Sequence, residues 1–345
     1  MKKLIYIILF ISFSTVFFIF YLLFSERNRV RNFRPLTTLD TVPNAIGRYI
    51  ISFPKGSILI DWYQSIQGIG EITITTNKTQ EDFDKMVEDQ ASIFRSIPHL
   101  KGGNRLIKVE TLRLPNGKII IYWKNELFKS NTNVPCKKFF YNKNTIYISS
   151  GTVPLDTNNE ESYFRGFERT CAAIRSRRPD EIPTEPGTCF DGAILLNQPG
   201  LEYDDLVMVK VVWPDRPDVR FRFVVFGNGP FPDPPLLTRL RRAKAIPNSG
   251  VLRSQPKTVD GNVGEEHLER VTEDNGTVSH LFIWEAQGLP NRFDRPQLRL
   301  TMTTGNGKDA PQYSSLSDED ALKLWDAVLD SLRWRPTVPP TQPAS

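Results

Sequence analysis

A chain of 345 residues exceeds the ~100–150 typical of one domain, so two domains are expected. The 44 Lys and Arg are scattered among 39 Asp and Glu, leaving a net charge of +5 without any basic stripe interleaved with aromatics. That pattern excludes nucleic acid as a partner: clusters such as Arg175, Arg177, Arg178 and Arg239, Arg241, Arg242 are too short to track a phosphate backbone.

After Lys2 and Lys3, residues 4–24 carry no charge, which matches the ~20 apolar residues that cross a bilayer as a helix. The run is longer than the ~7–15 residues of a signal-peptide core, and neither a small-x-small site nor a cysteine follows it. It reads as an uncleaved inner-membrane anchor with the body in the periplasm. Residues 25–46 read as a polar, structureless tether, with the anchor-and-tether segment set at 1–32 and the first domain counted from 33.

Regular patterning then begins. Strands are predicted at 48–53, 57–63 and 70–76, each bounded by turn residues. Thr79 followed by Asp82 starts a helix whose Phe83, Met86, Val87, Ile93 and Phe94 share one face, with Gly102 and Gly103 closing it. Strands follow at 105–114 and 118–123 around Pro115-Asn116-Gly117, and another at 145–150. Tyr163, Phe164, Phe167, Cys171 and Ile174 mark a second helix from 160 to 177.

Residues 177–188 are charged and Pro-rich and separate an N-terminal domain (33–178) from a C-terminal one (179–336). In the latter, strands are predicted at 189–196, 202–213, 220–226, 250–259, 265–273, 279–286 and 297–304, with a short helix at 234–245. Ser317 and Asp320 cap a closing helix with Leu322, Trp325, Val328, Leu329 and Leu332 as its buried stripe. Residues 337–345 form a disordered tail. The fold class is α+β: two tandem domains, each a mostly antiparallel sheet with two helices, the second repeating the plan of the first.

Candidate chemistry is sparse. No G-x-S-x-G elbow, P-loop or dinucleotide fingerprint occurs, and the glycines of 227–229 and 305–307 read as turns. His99, His267 and His280 are too dispersed for a triad, although the last two fall in adjacent strands as potential cross-strand neighbours. Cys136, Cys171 and Cys189 lack metal-ligand spacing, so no metal or cofactor is expected; an oxidising compartment favours one disulfide, with Cys171–Cys189 preferred to Cys136–Cys171. Asp191, Asp260, Glu265, Glu266 and Glu285 all lie in the second half, where paired carboxylates would suit glycoside hydrolysis.

The stretch VDGNVGEEHLER, 259–270, reads as a tight reversal between strands. Its adjacent Glu265 and Glu266 serve either a salt bridge with a neighbour such as Arg253 or a partner-docking surface.

The runs PTEPGTCFDGAIL (183–195), TVDGNVGEE (258–266), IWEAQG (283–288) and SLSDEDALKLWDAVLDSLRWRP (315–336) resemble the C-terminal domain of immunity proteins paired with type VI secretion lipase effectors, family 4. GRYIISFPKG (47–56) is similar to that family's N-terminal domain. The resemblance implies a periplasmic protein without catalytic activity or small-molecule substrate, whose two domains form a pincer that grips the cap of a cognate secreted phospholipase and occludes it. Family members commonly carry a signal or lipid anchor, which the uncharged run at 4–24 replaces. Asp191, Gly192, Gly261, Gly264, Glu265 and Glu266 are the motif residues, either fold-keeping or effector-facing. Specificity is expected in loops 124–144 and 286–297. A membrane-anchored carbohydrate-active enzyme using the acids above, or an envelope adaptor, is the alternative.

Overall fold

The computed structural model describes residues 33–337 apart from 67–69, 115, 126, 128–132, 156, 198–204, 228–232, 244–247, 273–275, 290–293 and 306–312. The expected span at 4–24 and all but the first residue of the tail lie outside the described residues. Within them, no helix is long and apolar enough to cross a membrane.

The first half contains β1 (Thr41–Ile46), β2 (Tyr49–Pro54), β3 (Ile58–Ile66), β4 (Gly70–Thr76), α1 (Gln80–Ser96), β5 (Leu106–Thr111), β6 (Gly117–Tyr122), β7 (Val134–Asn142), β8 (Thr145–Val153) and α2 (Thr157–Ala172). The second contains β9 (Ile174–Ser176), β10 (Gly187–Phe190), β11 (Ala193–Leu196), β12 (Asp205–Val212), β13 (Arg220–Phe226), α3 (Leu236–Arg242), β14 (Ser249–Pro256), β15 (Gly264–Thr272), β16 (Val278–Ala286), β17 (Gln297–Thr304), α4 (Asp318–Leu329) and β18 (Arg333–Trp334). The class is α+β, mostly antiparallel sheet with four helices among the described residues.

Where separate sheets are expected, the two halves share one 12-stranded sheet, ordered β14-β15-β16-β17-β13-β12-β3-β4-β8-β7-β6-β5. Each half contributes six strands with one topology: the first and second are neighbours, and the sixth, fifth, fourth and third follow in that order. A helix leaves after the second strand (α1, α3) and another after the sixth (α2, α4). The equivalent strands β3 and β12 pair antiparallel at the join, with Gln64 opposite Val207 and Leu59 opposite Val211. An approximate two-fold axis normal to the sheet has this consequence. The pairing also removes two exposed edges, since each strand satisfies the backbone groups the other would leave to solvent.

Alternation along the strands defines two faces. The inner face presents Val207, Val209, Val211, Phe221, Phe223 and Trp284 to the main core, beneath α2, α4 and two small sheets ordered β1-β2-β18 and β10-β11-β9. Burial of β2 on both sides explains its nearly continuous apolar run, YIISFP. The outer face carries α1, whose Phe83, Val87, Ala91 and Phe94 pack on Ile120, Phe139 and Ile146 as a separate cluster. The capping box at Thr79 is complete: its hydroxyl accepts from the Asp82 amide at 3.1 Å, and its own amide donates back to the Asp82 carboxylate at 2.9 Å.

Several segments differ from expectation. The tether ends sooner, because Arg34 N donates to Ser315 O, Arg216 reaches Pro35 O and β1 begins at Thr41. The expected variable loop 124–144 holds β7, whose Pro135, Lys137 and buried Lys138 obscure its alternation; Lys138 lies over the Tyr163 and Phe167 rings and donates to the Tyr163 hydroxyl. The single strand at 189–196 is a hairpin that reverses at Asp191 and Gly192, the latter at φ +68°.

The Pro-rich stretch at 177–188 is stitched into the interior by two buried arginines. Arg177 donates to the carbonyls of Ala45, Glu181, Phe190 and Ala193, and Arg335 to those of Pro183, Glu185 and Gly187. A guanidinium's planar array of donors lets each cation satisfy several strand-end carbonyls at once.

All three cysteines are free thiols. The expected Cys171–Cys189 disulfide is absent: Cys171 belongs to the main core and Cys189 to a separate cluster with Ala45 and Ile194. Burial raises the pKa of each thiol, which disfavours the thiolate that exchange chemistry needs.

Candidate functional site

The three histidines do not converge. His267 and His280 lie on opposite faces of their strand pair, His267 opposite Ile283 and His280 opposite Arg270. His280 has the partners of an acyl-transfer triad, with Nε2 3.0 Å from Asp318 and Nδ1 3.2 Å from Ser314 Oγ. Yet the imidazole and Ser314 are each only 2% exposed, and Ser314 donates to the Leu316 carbonyl. No substrate can reach them. The group ties β16 and β17 to the start of α4, and burial holds the His280 pKa below its ordinary value although Asp318 pulls it up.

The candidate carboxylates are likewise occupied by structure. Glu266 is fully buried, 2.9 Å from Arg253, and accepts from Gln255 at 2.9 Å and the Trp325 indole at 3.2 Å. Glu265 accepts from Leu237 N at the start of α3. Glu285 is buried between Arg239 and Arg299. Asp260 receives the Trp334 amide. The exposed Asp191 carboxyl has its pKa raised by desolvation, partly offset by Arg177, and its amide donates to Gln64. Among the described residues, no group of three His, Cys, Asp or Glu could hold a metal ion.

The outer face of the second half carries a cleft of about 980 Å³ that runs over β16, β17, β13 and β12 and onto β3. Strand register places its residues in rows. One row runs Tyr63, Met208, Val224, Arg299, Glu285; the next Ile60, Lys210, Arg222, Thr301, Ile283; a third Ile58, Val212, Arg220, Thr303, Leu281. Asp61, in the left-handed region at φ +48°, forms a bulge opposite the Met208–Lys210 step and accepts from Lys210 at 2.8 Å. The face mixes half-buried apolar side chains and the exposed Ile58 and Ile60 with more cations than carboxylates.

Residues 181–337 match the family described as Tle cognate immunity protein 4, C-terminal domain. The fold extends over both halves: the apo immunity protein TplEi of the type VI secretion system of Pseudomonas aeruginosa superposes with TM-score 0.74 at 23% identity, covering 88% of this chain and all of that one. A chain of the Tle4–Tli4 complex does so with TM-score 0.73 at 22% identity over 86% of this chain and 98% of that one. TplEi bound to an "L" peptide gives TM-score 0.68 at 22% identity, over 86% and 99% of the two chains. No curated protein matches.

Several of the motif residues within 181–337 are engaged by the fold. Asp260 and Gly261 take φ +48° and +72° in the reversal that pairs Val259 with Asn262. Gly264 has a different reason: a Cβ there would lie 2.6 Å from Glu285 O and 2.7 Å from the Trp284 indole nitrogen. Gly192 brings the hairpin turn against Thr76, 3.3 Å from where a Cβ would stand. Glu266 makes the ion pair with Arg253, and its carboxylate is fully buried. Sequence reasoning missed Arg220, Arg222, Lys210 and Arg299. Their alternation with apolar residues in RFRFVVF and VMVKVVW was the available signal.

Proposed function

We propose that the chain is an immunity protein that binds a cognate type VI secreted phospholipase and blocks it sterically. The match of residues 181–337 to the immunity-protein family carries this reading. The Tle4–Tli4 likeness supports it, since that solved assembly pairs an effector with an immunity chain of the same fold. On this reading the two halves act as a pincer that holds the lipase cap shut without chemistry of their own. The uncharged run at 4–24 supports an inner-membrane anchor with the body in the periplasm, on the side where incoming lipase meets lipid. An interface burying about 1,200 Å² or more is sufficient for a stable, specific complex.

The test mixes the full chain with the lipase encoded in its gene neighbourhood and measures turnover and complex size. A fully inhibited one-to-one complex is expected. Unaltered turnover with no shift in size at micromolar protein would overturn the proposal.

A further inference from the structure

We infer that the outer face of the C-terminal half receives an amphipathic segment of the lipase whose apolar stripe is flanked by carboxylates, with Arg220 and Arg222 as the residues that pair with them. The inference rests on the reading of the chain as an effector-binding protein and assigns it a surface and a recognition chemistry.

The internal repeat supplies the first argument. On the outer face of the first half β5 to β8 are covered by α1, an amphipathic helix that leaves that half's second strand and seats Phe83, Val87, Ala91 and Phe94 on the sheet. At the equivalent position the second half has α3, with only seven residues and one buried side chain, Leu236. On the equivalent strands of the second half, Leu281 and Ile283 of β16 line an open cleft where their counterparts on β7 are under a helix, and the cleft continues past Phe226, Met208 and Leu206 to Tyr63 of β3. An amphipathic segment from the partner completes the layer that α1 provides internally.

Charge supplies the second. Lys210 is paired with Asp61, and Arg299 with Glu285, which Arg239 also holds. Among the described residues the exposed Arg222 donates to the Met208 thioether, a weak acceptor, and the half-buried Arg220 has a buried Nε without an acceptor. Carboxylates arriving from outside pair with the terminal nitrogens of the two guanidinium groups.

The third argument is a cost that the fold offsets only at Lys210, through Asp61. Lys210 and Arg222 are directly opposite each other on β12 and β13, and like charges so placed destabilise an antiparallel pair. Threonine or valine would serve the sheet better. The mosaic of apolar and cationic side chains over five strands fits a protein segment; a lipid headgroup would need only one compact cation cluster.

The experiment measures the Kd of the full chain for the neighbour-encoded lipase in wild type, Arg220→Glu, Arg222→Glu and Arg222→Thr, with Arg95→Glu on α1 as control. The face variants are expected to weaken binding at least ten-fold, more at low salt than at high, while Arg95→Glu leaves it unchanged. Arg222→Thr is expected to bind more weakly yet melt no lower than wild type, which separates recognition from folding. If the wild type binds and inhibits but the face variants bind equally well, the inference falls and the functional reading survives. If the wild type neither binds nor inhibits, the functional reading itself falls. Binding of the wild type to phosphatidylglycerol vesicles that Arg222→Glu abolishes, without loss of lipase binding, would also overturn the inference.

Discussion

Helices α1 and α3 leave the sheet after equivalent strands of a repeated unit, yet one has 17 residues and the other seven. The longer helix turns the outer face of its half into a second core. The shorter one leaves a cleft on the same face of the other half, with half-buried apolar side chains between cations. A repeated unit thus separates two duties: one copy closes on itself for stability, and the other keeps an equivalent surface free.

The comparison is tested most strongly by truncation beneath α1. Phe139→Ala should cost about 3–5 kcal/mol in denaturant unfolding, as buried phenylalanines do; a loss below about 1 kcal/mol would mean that α1 does not cover a true core. On the inner face of the second half, Arg253→Ala removes the cation beside fully buried Glu266 and should cost about 3 kcal/mol. Glu266→Gln in the same background should recover part of it, because the uncompensated charge is gone.

A smaller effect follows pH. The folded pKa of His280 is below its unfolded 6.5, so the unfolded chain binds the extra proton first. Stability from this group is full above about pH 6.5 and is lost as pH falls through the lower folded value. His280→Gln should flatten that part of the pH–stability curve, and an unchanged slope would dissociate the histidine from it. On the open face, Ile60→Thr should move stability by no more than about 0.5 kcal/mol; a loss comparable with that of Phe139→Ala would show the face to be covered. Smallest of all, a thiol reductant should leave the melting temperature unchanged, since all three cysteines are free.

Strands whose apolar residues alternate cleanly or run continuously were legible in the sequence. GEITITT, RFRFVVF and QLRLTMTT become β4, β13 and β17 with the expected bounds, and both predicted helix caps, Thr79 and Ser317, make their hydrogen bonds. Partnership between halves was not legible, because nothing local in β3 says that its free edge will meet β12. Buried cations were misread for a related reason: Arg177, Arg335 and Lys138 look like solvent-facing residues until the carbonyls and rings around them are in place. The open face escaped notice because each of its cations sits singly between apolar neighbours. Only lateral register gathers them into a patch.

Strand β18 and Arg335 hold β2 and the 183–187 segment, so the parts of the molecule made early are fastened by parts made late. A ribosome must produce nearly 300 residues between Tyr49 and its partner Trp334, and until then β2 lacks that neighbour. Such sequence-distant contacts slow folding. Until that last strand emerges, the early part of the body lacks its final fastening.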